Sequence, residues 1–280
     1  MSKIIANNYN KQDIEAMRIL SDSVKPEDKM YTSLIIIKNE LGEVLHKGLH
    51  NKVIVSGSAF TMQKHYNLDV PVKTPTYNSV LGLENSISNT FTDPGIRRDE
   101  IVCLFAMGIG GCGTEQHQVF PVDYKKWIQP DELIPFRVVS PANDLSALDR
   151  TRYFGRKIMD NGKIAYYFKA FDTQPELLQR FMDGTPIGTD IHTSTNILDV
   201  ESFVKLKLKV TVDDGREHFR QTVGIDYAKV NTISLLTAYP TEFDGNIYYQ
   251  DIRPLTKLNF PNDPLLEDTR ALDITYYTFY

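Results

Sequence analysis

Two hydrophobic periodicities divide the chain. Near the start, Ile14, Met17, Leu20 and Val24 recur at steps of three and four, the spacing that collects side chains on one face of an α-helix. Asn10 precedes this stripe as a cap, Asp13 stands three residues further on as its capping-box partner, and Pro26 stops the helix just beyond. From residue 31 the signal becomes β. Residues 31–37 form a β-branched run, residues 38–43 a turn, and Val44 and Leu45 begin a returning strand, so a hairpin is predicted. Val53, Ile54 and Val55 lead to Ser56, which caps a short helix through Ala59, Phe60 and Gln63. Residues 101–107 are a second apolar strand.

The second half is more regular. Asn161-Gly162 supplies the positive φ angles of a tight hairpin between residues 158–159 and 164–168, and Asp213-Asp214-Gly215 and Asp244-Gly245-Asn246 repeat that punctuation. Val204, Leu206, Leu208, Val210 and Val212 alternate with Lys205, Lys207, Lys209 and Thr211, which predicts an apolar sheet face and a wet face lined by the lysines. The last run, residues 271–280, is a strand with Leu272, Ile274, Tyr276 and Thr278 on one side and Asp273, Thr275, Tyr277 and Phe279 on the other. Residues 70–95 contain Pro71, Pro75 and Pro94 among many Asn, Ser and Thr, the composition of a long loop arm. The expected fold is mainly β: an antiparallel β-sandwich or barrel-like core with one or two short helices and long loop arms. Amphipathic helices do not alternate with the strands, which argues against a parallel α/β fold. Residues 1–280 read as one elaborated β domain, with a subdivision near 130–149 where turn signals cluster.

Charge and composition narrow the function classes. Thirty-one basic against 36 acidic residues give a formal charge of -5, so general coating of nucleic acid is not the default, although a local basic ring is compatible with it. The uncharged stretch 101–114 contains four glycines and is shorter than the roughly 20 apolar residues of a membrane helix. No membrane partner is expected. The first eight residues hold one positive charge and no sustained apolar core, so no signal peptide is read there and synthesis in a cytoplasm is expected. Cys103 and Cys112 form neither a disulfide framework nor a C-x-x-C pair, and free thiols are the expected state.

No constellation organises a reaction. Gly108-Ile109-Gly110-Gly111-Cys112-Gly113 matches G-x-G-x-x-G after a strand, but dinucleotide binding requires a helix to begin there. The following residues, 114–121, have no helical stripe and end at Pro121, so a glycine-rich turn is the favoured reading. His46, His50, His65, His117, His192 and His218 form no H-E-x-x-H pair and no metal spacing with cysteine. Ser56-Gly57-Ser58 lacks the frame of a nucleophile elbow. Asp213 with Asp214, and Glu267 with Asp268, sit in turns where adjacent acids serve solvation. No catalytic, cofactor-binding or metal-ligating residue is assigned, and no cofactor is expected. The aromatic content of 11%, with 15 Tyr and 14 Phe, suits both strand cores and interfaces.

Four segments together carry a resemblance. They are His50-Asn51-Lys52-Val53-Ile54-Val55-Ser56-Gly57; residues 107–113 followed by Leu133-Ile134-Pro135-Phe136-Arg137; Val230-Asn231-Thr232-Ile233-Ser234-Leu235-Leu236; and residues 255–261 joined to the closing strand Ile274-Thr275-Tyr276-Tyr277-Thr278-Phe279-Tyr280. In order and texture the chain resembles structural proteins from the neck or tail of long-tailed bacteriophages. The resemblance implies a non-enzymatic virion component made in the cytoplasm of a bacterial host, a ring-forming neck or collar (head-to-tail connector) subunit. It implies a homo-oligomeric ring, portal-proximal, neck or tail proteins as partners, and indirect proximity to DNA. A baseplate or receptor-binding tail module is the alternative, and a cytoplasmic hydrolase a third. The contact residues expected on this reading are Pro71, Pro75 and Tyr77 in the arm and Tyr277, Phe279 and Tyr280 in the C-terminal strand.

Overall fold

The structure is a computed structural model that describes residues 9–24, 32–50, 60–61, 64, 99–108, 112–115, 118–121, 133–181, 186–187, 200–222, 230–243, 245–260 and 271–279. The arm at 70–95, with Pro71, Pro75 and Tyr77, lies outside these residues, as do Tyr280, Ser56, Gly57, Ser58, Glu267 and Asp268. Phe60, Thr61 and Lys64 are helical, at the position of the predicted short second helix. The chain forms two units and passes between them four times: residues 1–52, 172–209 and 273–280 belong to the first, and 53–171 and 210–272 to the second. The stretch 130–149 lies inside the second unit.

The first unit is built on helix α1 (Lys11–Ser23) and six strands, numbered along the whole chain: β1 (Ser33–Lys38), β2 (Val44–His50), β10 (Glu176–Phe181), β11 (Pro186–Ile187), β12 (Val200–Val210) and β15 (Leu272–Phe279). The helix begins as its sequence requires. The Asp13 N–H donates to Asn10 Oδ1 at 2.9 Å, and the Asn10 N–H donates back to Asp13 Oδ2, closing the capping box. Its apolar stripe, Ala16, Met17 and Leu20, packs on Leu34, Ile36, Leu178, Phe203, Tyr277 and Phe279. Strand order is β11-β10-β12-β15-β1-β2. Every pairing described is antiparallel, and the contacts Phe203 to Phe279 and Lys209 to Asp273 make β12 and β15 antiparallel too. β1 is buried on both faces, with Leu34, Ile35, Ile36 and Ile37 all covered.

The second unit contains β3 (Ile101–Gly108), β4 (Cys112–Glu115), β5 (Gln118–Pro121), β6 (Leu133–Ile134), β7 (Arg137–Val139), β8 (Tyr153–Ile158), β9 (Ile164–Ala170), α2 (Arg216–Thr222), β13 (Thr232–Phe243) and β14 (Asn246–Asn259). Its main sheet runs β14-β13-β3-β9-β7, with β6 added to β3 and β8 to β9; β4 and β5 pair separately. β3 is the centre, and Leu104, Phe105, Ala106 and Met107 are wholly buried. Tyr249 of β14 meets Phe154 of β8 edge to face, with centroids 4.7 Å apart, so the outer strands of this curled sheet approach through side chains and not through a ladder. Both large sheets are therefore open, and the mainly β, antiparallel expectation is met in its open-sheet form.

The hairpin turns follow the glycines. Gly162 and Gly245 adopt φ of 76° and 71° between β8 and β9 and between β13 and β14. Asp213-Asp214-Gly215 does not make a hairpin: Gly215, at φ 72°, opens directly into α2. A seven-residue helix with Phe219 as its one buried apolar side chain has too short a stripe to register as periodicity. Gly155 is the most constrained glycine. It holds φ at 70°, and a Cβ there would stand 2.4 Å from the buried Phe168 ring. Gly155→Ala is expected to destabilise by about 3 kcal/mol, from left-handed backbone cost and overpacking together. A fall in the urea midpoint of the purified protein checks it, and an unchanged midpoint contradicts the contact.

One expectation is corrected in part by the sheet. Lys205 is buried under α1, whereas Lys207 and Lys209 keep the expected solvent-reached face while pairing with Glu176 and Asp273. α1 covers β12 at Phe203 and Lys205, and Leu206, Leu208 and Val210 on the opposite side are also buried, so the lysine face is closed at Lys205 and open at Lys207 and Lys209.

Candidate functional site

Charged side chains gather in each unit, and what they can do depends on how completely they are engaged. In the first unit, Asp13 of α1 accepts from Lys205 Nζ at 2.8 Å and from the Tyr277 hydroxyl at 2.7 Å, while also capping its own helix. Gln12 Nε2 donates to the Tyr277 hydroxyl at 3.2 Å. Glu176 bridges Lys205 and Lys207 at 3.3 and 2.9 Å. One turn pair further along, Ser21 donates to the Glu201 carboxylate, which Arg180 Nε also meets at 2.8 Å. The helix is thus fastened at both ends by ionic contacts flanking its apolar stripe.

The second unit has its counterpart at Asp214, which the 211–215 turn buries completely. Its carboxylate accepts from Lys169 Nζ at 2.6 Å, the Thr211 N–H at 2.8 Å and the Tyr153 hydroxyl at 2.9 Å, with Arg137 Nε at 3.6 Å. Arg137 in turn donates to the Tyr153 oxygen at 2.9 Å and stacks over that ring. Burial, reinforced by the Asp214 charge, pushes the Tyr153 hydroxyl up to about 12, so the phenol keeps its proton at neutral pH. A fully buried carboxylate held by three donors and a nearby guanidinium ties separate elements together. A fully buried pair, Glu100 with Arg253, adds Thr237 as a further donor to the Glu100 carboxylate.

Asp144 makes a shallower cluster. It accepts from the Tyr166 hydroxyl at 2.6 Å, the Leu145 N–H at 2.7 Å and Arg150 at 2.9 Å. Burial alone would raise the Asp144 carboxyl, but these hydrogen bonds with the Arg150 and Arg156 charges outweigh it and hold it below the usual range. Glu176 behaves alike: burial opposes ionisation, and Lys207 and Lys205 overcome it. A carboxyl depressed on folding contributes stability that is present above its unfolded value, near 4, and is lost as pH falls through its folded value. Glu176→Gln and Asp144→Asn are each expected to flatten the acid limb of stability below about pH 4. Urea midpoints measured against pH check this, and an acid limb identical to that of the unsubstituted chain contradicts it.

The residues singled out from sequence are placed as follows. Tyr277 and Phe279 lie in the core of the first unit, Tyr277 hydrogen-bonded to Asp13 and Phe279 edge to face on Phe203 at 4.9 Å. The glycine run after β3 leads to a strand, β4, where a dinucleotide site needs a helix N-terminus. Cys103 is a buried free thiol whose burial pushes its ionisation upward. His46 and His218 are partly covered, and burial lowers both. Among the described residues no group of three or more His, Cys, Asp or Glu is placed to hold a metal ion, and no helix is long and apolar enough to cross a membrane. Asp214, Lys169, Tyr153 and Arg137 were not legible as a set, because their partnership spans 45 residues between Lys169 and Asp214 and no local spacing encodes it.

These features define a mainly β protein of two open antiparallel sheets, each braced by internal ion pairs. No protein family, no curated protein and no solved structure matches the chain.

Proposed function

We propose that the chain is a non-enzymatic structural protein of a tailed-phage virion, a ring-forming neck or collar subunit at the head-to-tail junction. The order and texture of the four sequence segments motivate this reading. The observation that carries it is the use made of the charged side chains. Asp13 to Lys205, Arg180 to Glu201, Lys169 to Asp214 and Arg253 to Glu100 are all ion pairs between separate elements, bridging 192, 21, 45 and 153 residues of sequence. Paired and hydrogen-bonded in this way, such groups specify which strands and helices adjoin and, among the described residues, leave no charged cluster committed to a substrate, which suits a structural component. Its partners on this reading are further copies of itself and neighbouring virion proteins.

The test is immunogold electron microscopy of purified particles carrying a tagged copy of the chain. Label at the head-to-tail junction is the expected result. Label at the distal tail would support a baseplate or receptor-binding role instead. Protein recovered only in the soluble lysate would overturn the virion reading.

A further inference from the structure

Three side chains of the first unit meet at one nitrogen. Lys205 of β12 and Glu176 of β10 stand directly opposite each other in the antiparallel ladder, and Asp13 arrives over them from the first turn of α1. The Lys205 Nζ lies 2.8 Å from Asp13 Oδ1, 3.0 Å from Asp13 Oδ2 and 3.3 Å from Glu176 Oε2. A lysine, an aspartate and a glutamate brought together in this way supply a nucleophile, an acyl carbon and a proton acceptor, the parts from which an amide is made.

The surroundings favour that reaction over a plain ion pair. Nζ is nearly equidistant from the two Asp13 oxygens, so it faces the carboxyl group and its Cγ. The Tyr277 hydroxyl donates to Oδ1 at 2.7 Å, a donor placed where negative charge gathers as Cγ becomes tetrahedral. Oδ2 has the looser hold, the Asn10 N–H at 3.4 Å, and is the oxygen more readily lost. The Lys205 and Asp13 side chains are 5% and 3% exposed, beneath a helix whose apolar stripe packs on Phe203, Tyr277 and Phe279. Fixed neighbours replace a chance encounter, and in a dry site condensation removes two charges that burial disfavours. Burial opposes ionisation of Glu176, but Lys207 and Lys205 overcome it, so a carboxylate stands ready to take a proton from Nζ.

We propose that Lys205 and Asp13 condense to an intramolecular amide that joins β12 to α1 covalently, with Glu176 as the proton carrier. The Nζ–Cγ bond forms and the Cγ–Oδ2 bond breaks. Of the three protons on the Lys205 ammonium, one stays on the amide nitrogen and two leave with Oδ2 as water, one of them carried by Glu176. Nothing is oxidised or reduced, and Oδ1 remains as the amide oxygen, still accepting from Tyr277. The bond spans 192 residues of sequence, so it fixes α1 to its sheet and constrains the unfolded chain as well. It does not rest on the virion reading.

Mass spectrometry of the denatured, unsubstituted chain tests the proposal, and the expected mass is that of the sequence less one water. Trypsin cuts after Lys11, Arg18, Arg180 and Lys207, so the digest should contain a branched peptide joining residues 12–18 to residues 181–207, uncut at Lys205. Lys205→Arg keeps a cation beside Asp13 without an amine nucleophile, and is expected to show the full sequence mass. Glu176→Gln is expected to slow the appearance of the lighter species in newly made chain by roughly 100-fold. The branched peptide is read on the unsubstituted protein and so does not depend on how either variant folds. A chain of full mass, a lost water with no branched peptide between these segments, or a Lys205→Arg chain that also loses water would each overturn the amide. An unchanged rate in folded Glu176→Gln would overturn the role given to Glu176.

Discussion

Removal of residues 274–280 takes the centre out of the six-stranded sheet, and the expected result is loss of that unit's cooperative unfolding transition. β15 is hydrogen-bonded to β1 along its length and lies between β1 and β12 in the strand order. The deletion removes Ile274, Tyr276, Tyr277 and Phe279, all buried. At about 1.5–3 kcal/mol for each fully buried side chain, this removes at least about 6 kcal/mol, comparable with the whole stability of an ordinary domain. It also exposes the backbone edges of two inner strands and takes the Tyr277 hydroxyl away from Asp13, which stays buried beside Lys205. Near-ultraviolet circular dichroism and hydrogen exchange of the truncated chain check this. A truncation that retains protected amides in β1 and β12 would mean that β15 is dispensable to the fold. Failure of the truncated chain to enter particles would accordingly report misfolding and not a lost interface, so assembly contacts in this unit are better tested by single substitutions at exposed positions.

Glu100→Ala should be the most damaging single carboxylate substitution, costing about 3–5 kcal/mol. Glu100 and Arg253 are 0% and 1% exposed, and each places a counter-charge beside the other in the interior. Thr237 and the Asp251 carbonyl also hydrogen-bond within the group, and Asp251 takes a left-handed backbone at φ 51° where its carbonyl meets Arg253. Truncating Glu100 removes the counter-charge and leaves a guanidinium in the core. The double substitution Glu100→Leu with Arg253→Met removes both charges together and is expected to recover most of that loss. A double-mutant cycle by urea unfolding measures the coupling. Strictly additive single effects would show that the two charges do not stabilise each other.

The elements that the sequence made legible are those whose signal is local. α1 was readable from one apolar stripe and one capping box, and the β1–β2 and β8–β9 hairpins from β-branched runs broken by turn residues. α2 was not, because its seven residues contain a single buried apolar position. The lysines of β12 show the limit of an alternating pattern. Period two assigns residues to opposite faces but does not say how far each face is covered, and Lys205 is buried because it pairs with Asp13 of α1, 192 residues earlier, while Lys207 and Lys209 on the same face stay open to solvent. The clusters around Asp214 and Glu100 were invisible for the same reason: each joins residues that no spacing rule connects.

Local signals along the chain set its class: mainly β and antiparallel, with a capped amphipathic helix near its start and glycine-dependent turns. These follow from backbone preferences and side-chain periods, which act over a few residues and are written in order along the chain. Strand order, the central place of β15 and the partners of the buried charges arise from the tertiary structure alone. Those depend on which distant residues can be covered and neutralised together, a competition for burial and charge that is settled across the whole molecule at once.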